Sequence, residues 1–339
     1  MIKRTRGAAL ITVMIVVFIV MAIIANLTVT DYRTMKRLAN RQLIEQASAI
    51  AYSAIDFGRA GLATSGSTSN IDTLHDVWAQ PLPKTKLMGD IYMSGYLIDE
   101  QSKFNINDLV SNGQVNQNVL AQFSQLLSYI NLPQSLASSI AYYMASPQNQ
   151  GDIQQQYTGG KPPYRPAGRP LVDLSELVLV KGITAPMVQK MAQYVTAVPV
   201  SGSYLANESA NESSNQSNNN SNNTAMGNGL SVNINTAPAE VIAAKSGIEL
   251  PMAQRIISYR SNKSFESQST ITDFLTQNGV STTKSNGQQL NIGGLGVNSS
   301  YFTVHAVVDD QDDQFRWVAY VYRQNRSGQW PQILWQHPE

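Results

Sequence analysis

Four aspartates near the C-terminal end of the chain lie close enough together to bind a metal ion: Asp309, Asp310, Asp312 and Asp313. Calcium prefers carboxylate oxygens, so Ca²⁺ is the cofactor that this group of residues indicates. The run lacks the Asp-x-Asp-x-Asp-Gly spacing of the common calcium-binding loop, and acidic residues in a solvated turn need no ligand. The four aspartates are therefore candidate calcium ligands, and a solvated hairpin turn is the favoured alternative.

The other residue types that carry out catalysis are scattered along the chain. His75, His305 and His337 are far apart, and there is no cysteine. The sequence shows no nucleophile beside a general base, no glycine-rich phosphate loop and no pair of carboxylates at a catalytic spacing. It therefore predicts a protein that is not an enzyme.

Two segments with the same residue pattern predict helix-turn-helix units. Residues 181–191 and 246–256 share a Gly-Ile pair, a proline followed by methionine, a glutamine and a basic residue, and residues 131–133 form a weaker third copy. The units resemble helix-hairpin-helix modules, whose glycine-rich turn binds a DNA phosphate through backbone N–H groups. Each turn here has one glycine, and Glu249 would repel phosphate. A structural or protein-binding role is favoured, and a membrane-anchored DNA-binding protein of competence type is the alternative.

The overall composition bears on the same choice. The chain has 339 residues, a formal net charge of +1 and only 14% charged residues. A dedicated nucleic-acid binder usually has a basic excess, so this balance argues against nucleic acid as a partner. The length allows one large domain or two ordinary ones.

An uncharged apolar run predicts one membrane-spanning helix over residues 8–29. Crossing the hydrocarbon core takes about 20 apolar residues. The basic leader 1–7 before it places the leader in the cytoplasm and the C-terminal bulk on the other side. Basic residues beyond the helix weaken that assignment: Arg33, Lys36, Arg37 and Arg41.

The start of this helix resembles a prepilin-type processing site. In such a signal the cut falls directly before the apolar run, here after Gly7, and Ala8 becomes the new N-terminus. No Ala-x-Ala site for ordinary secretory cleavage follows the helix. A plain signal anchor is the alternative.

The fifth residue after that cut is Thr12, where most pilins have a glutamate. A carboxylate in a bilayer is costly unless it is paired, and in pilins it is thought to pair with the free N-terminal amine of the neighbouring subunit. Thr12 therefore favours a subunit at the growing tip, which need not dock onto one above it. The alternative is that threonine is simply tolerated in a membrane helix.

Periodicity and turn residues predict the remaining elements. The membrane helix continues to about residue 58, a loop follows at 61–70, and Thr236 caps a helix that Gly247 ends. The Asn/Ser tract 206–224 is predicted to be disordered. The other predicted elements are a strand at 92–99, helices at 117–129, 135–144, 174–180 and 185–198, an irregular loop at 148–170, a β-hairpin at 301–308 and 315–322, and a last strand at 333–335.

Four segments, in this order, resemble the K-class minor pseudopilin family of the bacterial type II secretion system: RGAALITV, FNIND, RPLVDLSELVLVKGIT and VNINTAPAEVI. The resemblance covers the whole chain apart from the Asn/Ser tract. It implies an α+β, pilin-like fold. A long N-terminal transmembrane helix packs on a small antiparallel sheet, and a large α-helical domain of helix-hairpin-helix or SAM-like units is inserted between strands.

The resemblance also implies the division of the chain. The expected parts are a prepilin leader at 1–7, a transmembrane helix at 8–29, its periplasmic continuation at 30–60, the first part of the sheet at 61–105, the inserted helical domain at 106–295 with its linker at 206–224, and the C-terminal strands at 296–339.

The implied function is a minor pseudopilin in the tip complex that initiates pseudopilus assembly and supports export of folded periplasmic proteins. The implied partners are the I and J minor pseudopilins, the major pseudopilin, the inner-membrane assembly platform and the prepilin peptidase. That peptidase would cut after Gly7 and methylate the amine of Ala8. The implied location is a single pass through the bacterial inner membrane with the C-terminal domain in the periplasm. A type IV minor pilin, which usually lacks the helical insertion, is a further alternative.

Overall fold

The computed structural model describes residues 6–149, 153–159, 163–198, 229–281, 290–310, 313–324 and 329–339. Leader residues 1–5, the tract 206–224 and Asp312 lie outside the described residues. In chain order the elements are α1 (Arg6–Thr68), β1 (Leu82–Met88), β2 (Ile91–Asp99), β3 (Phe104–Asn105), β4 (Val110–Ser111), β5 (Gln114–Val115), α2 (Gln117–Tyr129), α3 (Ser135–Met144), α4 (Ile153–Thr158), α5 (Ala185–Met191), β6 (Val195–Thr196), β7 (Val232–Asn233), α6 (Ala239–Ser246), α7 (Leu250–Arg260), α8 (Gln268–Gln277), β8 (Leu295–Gly296), β9 (Tyr301–Asp310), β10 (Asp313–Tyr322) and β11 (Gln332–Pro338).

The first half of α1 makes no packing contact with the folded body. Residues 10–42 are exposed throughout, and the most apolar window of the helix has a mean hydropathy of 2.9. Among the described residues, α1 is the one helix that is long and apolar enough to cross a membrane. This agrees with the membrane anchor predicted at 8–29.

The second half of α1 is longer than the sequence predicts. The loop prediction for 61–70 is wrong at its first positions, because α1 continues to Thr68. Leu62 is fully buried and belongs to the core between α1 and the sheet. That packing outweighs the low helix propensity of the glycines and serines that suggested a loop.

A five-stranded antiparallel sheet, in the spatial order β1-β2-β9-β10-β11, lies against the second half of α1. The predicted strand at 92–99, the predicted hairpin and the last strand at 333–335 are confirmed. The hairpin turn is shorter than predicted, because β9 runs to Asp310 and β10 begins at Asp313. The sequence misses β1, whose Pro83 obscures the pattern but is tolerated in an edge strand.

Small residues let α1 approach the sheet closely. Ala47, Ala51 and Ala54 are buried on the face that meets the strands. A Cβ atom added to Gly58 would lie 2.9 Å from Cγ1 of Val304, which is closer than packed carbon atoms approach. Any larger residue at position 58 would push α1 away from β9.

The helical insertion lies between β2 and β9 and has its own hydrophobic core. The helices predicted at 117–129 and 135–144 are confirmed. The helix predicted at 185–198 is wrong after Met191, because Val195–Thr196 forms a strand that pairs with β3. The segment predicted at 174–180 is a 3-10 helix, Leu174–Leu179, and the predicted loop at 148–170 contains the short helix α4.

Candidate functional site

The helical insertion is built from two units that begin and end in the same way. In the first unit, residues 104–196, β3 pairs in parallel with β6. In the second unit, residues 232–296, β7 pairs in parallel with β8. Each unit therefore closes on itself through a two-residue parallel ladder. Both initial strands end on the first asparagine of the same Asn-Ile-Asn motif.

The second asparagine of each motif holds a distant loop. Asn107 Nδ2 donates to the carbonyl of Leu171 at 2.9 Å, and its Oδ1 accepts from the Leu171 N–H at 2.8 Å. Asn235 makes the same pair of bonds to Phe265, both at 2.9 Å. A side-chain amide with one donor and one acceptor in use imitates a strand partner. Each asparagine thus fixes its loop by two buried bonds.

The units also share their turns. Two residues after each held loop, Asp173 and Ser267 begin a capping box, which satisfies the first N–H groups of the following helical segment. A left-handed residue follows that segment in each unit, namely Gly182 with φ 88° and Gly279 with φ 74°. The order of elements is therefore duplicated, with Gly182 and Gly279 in corresponding places.

The duplicated order of elements changes which segments correspond as helix-turn-helix copies, since the sequence pattern pairs residues 181–191 with 246–256. The segments around Gly182 and Gly247 do share a left-handed turn and a proline in the first turn of the next helix. By position in the unit, however, Gly247 between α6 and α7 corresponds to Asn131 between α2 and α3. Asn131 has φ 52°, so the predicted third copy at 131–133 is confirmed as a left-handed turn. The residue match between the other two copies reflects a shared turn geometry.

A buried ion pair joins the two units. Lys245 Nζ, on α6, lies 3.7 Å from Asp108 Oδ2, which also accepts the Leu230 N–H at 2.7 Å. The ammonium group is 5.2 Å from the centre of the Phe104 ring. Burial raises the pKa of Asp108 and lowers the pKa of Lys245, and each charge offsets part of the other shift. Losing either partner would leave an uncompensated buried charge.

A second buried carboxylate, Asp99, ties the helical insertion to the sheet. Its Oδ2 accepts hydrogen bonds from Thr236 Oγ1 and Ser299 Oγ, both at 2.6 Å, and from Asn233 Nδ2 at 3.3 Å. Burial raises the pKa of Asp99 to about 6, against the opposing effect of these hydrogen bonds. The end of β2 is thereby joined to the start of the second unit.

The prediction that Thr236 caps a helix is wrong. Pro238 occupies the N-cap position of α6. The Thr236 hydroxyl donates instead to Asp99. A buried carboxylate is a stronger acceptor than the solvated alternatives that a capping hydroxyl competes with, so the tertiary contact prevails.

Arg323 and Asp72 connect this network to α1. Arg323 Nη2 donates to both carboxylate oxygens of Asp72, at 2.8 and 2.7 Å, and its Nη1 donates to the Leu62 carbonyl in α1 at 3.2 Å. Asp72 in turn accepts the Ser299 N–H, and its carbonyl accepts Asn233 Nδ2. We call the network of Asp72, Asp99, Asn233, Ser299 and Arg323 the buried junction. It contains groups from the end of α1, the sheet and the helical insertion.

The buried junction is a structural connection between α1, the sheet and the helical insertion. Its carboxylates are occupied by hydrogen bonds and an ion pair within the protein. It holds the helical insertion at the end of α1 that is farthest from the exposed apolar half. The sequence predictions missed Asp72, Asp99 and Arg323. The repeated Asn-Ile-Asn motif was the signal that could have located the neighbouring asparagines.

Of the predicted calcium ligands, Asp309 and Asp310 end β9 and Asp313 begins β10. Asp309 accepts from Lys84 Nζ at 3.0 Å and from Gln314 Nε2 at 2.7 Å, and these contacts lower its pKa. Asp310 lies opposite Asp313 in the strand register. Among the described residues, no group of three or more histidine, cysteine or acidic side chains is arranged to hold a metal ion. Calcium binding at this turn stays a prediction, since Asp312 lies outside the described residues.

The predicted processing residues lie at the start of α1. The helix begins at Arg6, so the backbone of Gly7 and Ala8 is helical, and Thr12 lies on the exposed apolar half. Cleavage after Gly7, methylation of Ala8 and a consequence of Thr12 stay predictions. In the helical insertion, the exposed Glu249 precedes α7 directly after the Gly247 turn. That position would repel a nucleic-acid phosphate.

Comparisons with known proteins agree on one family. Two family models described as type II secretion system protein K match residues 102–200 and 232–297. The matched segments are close to the two units of the helical insertion. The chain is 27% identical over 294 residues to the type II secretion system protein K of Pseudomonas aeruginosa, covering 83% of this chain and 80% of that protein.

The fold has a close counterpart among solved structures. A chain of the GspK-GspI-GspJ complex from the enterotoxigenic Escherichia coli type 2 secretion system superposes with a TM-score of 0.66 at 19% sequence identity. The superposition covers 89% of this chain and 99% of that one, so the α+β fold predicted from the sequence is confirmed. The two family models and the relative therefore agree that this chain is similar to the type II secretion system protein K family, and the fold agrees with that similarity.

Proposed function

We propose that this chain is a minor pseudopilin of the type II secretion system and forms the tip of a pseudopilus at the bacterial inner membrane, with its folded domain in the periplasm. There it initiates pseudopilus assembly and supports the export of folded proteins across the outer membrane. Its partners are the I and J minor pseudopilins, the major pseudopilin and the inner-membrane assembly platform. Its action is mechanical rather than enzymatic.

The position of the helical insertion carries this proposal. The buried junction attaches the insertion at the membrane-distal end of α1, through Leu62 in the last turns of the helix and Asp72 just after it. A subunit stacked above this one along the helix axis would need the volume that the insertion occupies. The protein is therefore suited to a place with no subunit above it, and the rigid junction prevents the insertion from swinging aside.

The composition of the membrane helix supports the same place. Residues 8–30 of α1 contain no acidic side chain, and Thr12 stands where a shaft subunit would carry its glutamate. A shaft subunit needs that carboxylate to pair with a neighbouring amine inside an apolar environment. A tip subunit has no such pair to make on its upper side. The prepilin peptidase would cut after Gly7 and methylate Ala8, which keeps α1 from Ala8 onward as the assembly surface.

Labelling of pseudopili tests the location. The full chain, with an epitope tag after Glu339, is expressed in a secreting host together with an excess of the major pseudopilin, and sheared fibres are labelled with gold. The tip position predicts one cluster of gold at one end of each fibre. Gold distributed along the shafts would contradict it. A tagged major pseudopilin, which labels the whole shaft, is the matched control.

A further inference from the structure

The exposed half of α1 carries a basic face directly beyond its apolar span. Arg33, Lys36, Arg37 and Arg41 are all exposed, and no acidic residue lies between them. With about 100° of rotation per residue, the four side chains fall within an arc of about 140° on one side of the helix. The nearest acidic residues, Asp31 and Glu45, fall outside that arc. Within the described part of the chain, none of the four cations forms a salt bridge.

The distance of this face from the membrane follows from helix geometry. An apolar stretch from Leu10 to Val29 rises about 30 Å, which matches the hydrocarbon core of a bilayer. Arg33 then lies about 6 Å beyond the hydrocarbon, and Arg37 lies about 12 Å beyond it. The headgroup layer occupies roughly the first 6 Å on each side, and long basic side chains can reach back toward it. Three of the four cations can therefore reach the lipid phosphates.

A neighbouring aromatic residue supports this depth. Tyr32 is exposed at the junction between the apolar span and the basic face. Tyrosine is enriched at the membrane–water interface, where its ring contacts lipid and its hydroxyl contacts water. Lys36 follows Tyr32 by about one helical turn, and its Nζ lies 5.4 Å from the centre of the Tyr32 ring. Tyrosine and basic residues in this order are typical of an interfacial anchor.

We infer that this basic face binds the headgroups of anionic phospholipids in the leaflet on the side of the folded domain. Basic residues beside a membrane span usually lie on the cytoplasmic side, whereas this basic face lies on the side of the folded domain. Its positive charge there indicates a negatively charged partner on that side. Binding there would retain the subunit in the bilayer until assembly withdraws it. The inference requires only that α1 spans a membrane, and it is independent of the proposed tip position.

Lipid retention by the full chain tests the inference. The full-length protein and the variant Arg33→Gln/Lys36→Gln/Arg37→Gln/Arg41→Gln are transferred into mixed micelles of phosphatidylcholine and phosphatidylglycerol, and bound lipids are counted by native mass spectrometry. Each cation near an anionic surface contributes about 1 kcal/mol. With partial screening of Arg41, the preference for phosphatidylglycerol should fall on the order of 100-fold in the variant.

A second variant makes the comparison specific. Arg165→Gln/Lys190→Gln/Arg255→Gln/Lys263→Gln removes four exposed cations from the helical insertion, with the same change in net charge. It should keep the wild-type preference, and so should Arg33→Lys/Arg37→Lys/Arg41→Lys, since charge is what the phosphate recognises. Thermal unfolding should be unchanged in the α1 variants, because the substituted part of α1 contacts no other element, and in the insertion variant, because its four side chains are exposed.

Three outcomes would overturn the inference. The first is an unchanged phosphatidylglycerol preference in the variant of the basic face. The second is an equal loss in the variant of the helical insertion, which would show a general charge effect. The third is a variant of the basic face that keeps its lipids but no longer associates with other pseudopilins, which would assign the face to an acidic protein partner.

Discussion

Arg323, directly after β10, donates to both carboxylate oxygens of Asp72, at 2.8 and 2.7 Å, although 251 residues separate the two in the sequence. The side chains are almost completely buried. The ion pair closes the pilin-like part around the insertion, because Asp72 follows α1 and Arg323 follows the strand hairpin that comes after the insertion. Asn233 of the insertion donates to the Asp72 carbonyl, so Asp72 contacts both the end of the sheet and the insertion.

Removing one partner of this pair should strongly destabilise the folded domain. Arg323→Met leaves the carboxylate of Asp72 buried without its cation, which typically costs about 3–5 kcal/mol. Chemical denaturation of the full chain in detergent measures the free energy of unfolding. Arg316→Gln, at an exposed position on β10, is the control and should change it by less than about 0.5 kcal/mol. Equal effects of the two substitutions would show that the buried pair has no special role.

The buried junction should make stability depend on pH. The folded-state pKa of Asp99, about 6, lies above its ordinary value of 3.8, so the folded protein binds this proton more tightly than the unfolded chain. The stabilisation is complete below about pH 4 and is lost as the pH rises through about 6, a difference of roughly 3 kcal/mol.

Asp99→Asn removes this titration. The free energy of unfolding of the variant should fall less between pH 4 and pH 7 than that of the wild type. Asp273→Asn, at an exposed position on α8, should keep the wild-type pH dependence. If the wild type and Asp99→Asn have parallel curves, Asp99 does not titrate in this range.

The side-chain amide of Asn235 should contribute more to the free energy of unfolding than the amide of a surface asparagine. Asn235→Ala leaves the N–H and the carbonyl of Phe265 buried without partners, at about 1–3 kcal/mol for each group. Asn107→Ala should have at least as large an effect, because it removes the same pair of bonds to Leu171 and a further bond to the Val198 carbonyl. Asn118→Ala, on the exposed face of α2, is the control. Hydrogen exchange should locate the loss at Phe265 or Leu171 respectively, and a loss spread evenly over the insertion would contradict the assignment.

Processing at the start of α1 can be read from the mass of the purified chain. In a host with a prepilin peptidase, the wild type should lack residues 1–7 and carry one methyl group on Ala8. The Gly7→Leu variant should keep the full leader, because we expect the peptidase to require the small Gly7 directly before the cleaved bond. A host without the peptidase provides the control. A wild-type chain that still starts at Met1, or that is cut after the apolar run, would show a different kind of signal.

The sequence predicts the parts of this fold that depend on local patterns. The apolar run before Val29 and the alternating strands at 92–99, 301–308 and 315–322 carry their own periodicity, and the structure confirms them. The predicted end of α1 is wrong because packing against the sheet keeps Leu62 in the helix. The sequence does not predict the strand β6, because a strand of two residues shows no periodicity. Only its pairing with β3, beginning at Phe104, defines it.

The buried junction is beyond local prediction for a similar reason. Asp72, Asp99 and Arg323 each stand in an ordinary polar context in the sequence. Their role arises from contacts across more than a hundred positions, and a single sequence contains no signal for such contacts. The Asn-Ile-Asn motif is different, because its two copies are visible as a repeat. The role of the repeat, a side-chain amide that completes a loop, depends on long-range contacts that are visible only in the structure.

Assembly with the other minor pseudopilins tests the proposed role in the tip complex most directly. The full chain is co-expressed with the I and J classes in a membrane host, extracted in mild detergent and purified through a tag on this chain alone. We expect all three proteins to elute together in fixed stoichiometry, and we expect Arg323→Met to weaken the complex because it disorders the buried junction. Elution of this chain by itself, while the I and J proteins remain paired in the flow-through, would contradict a role in the tip complex.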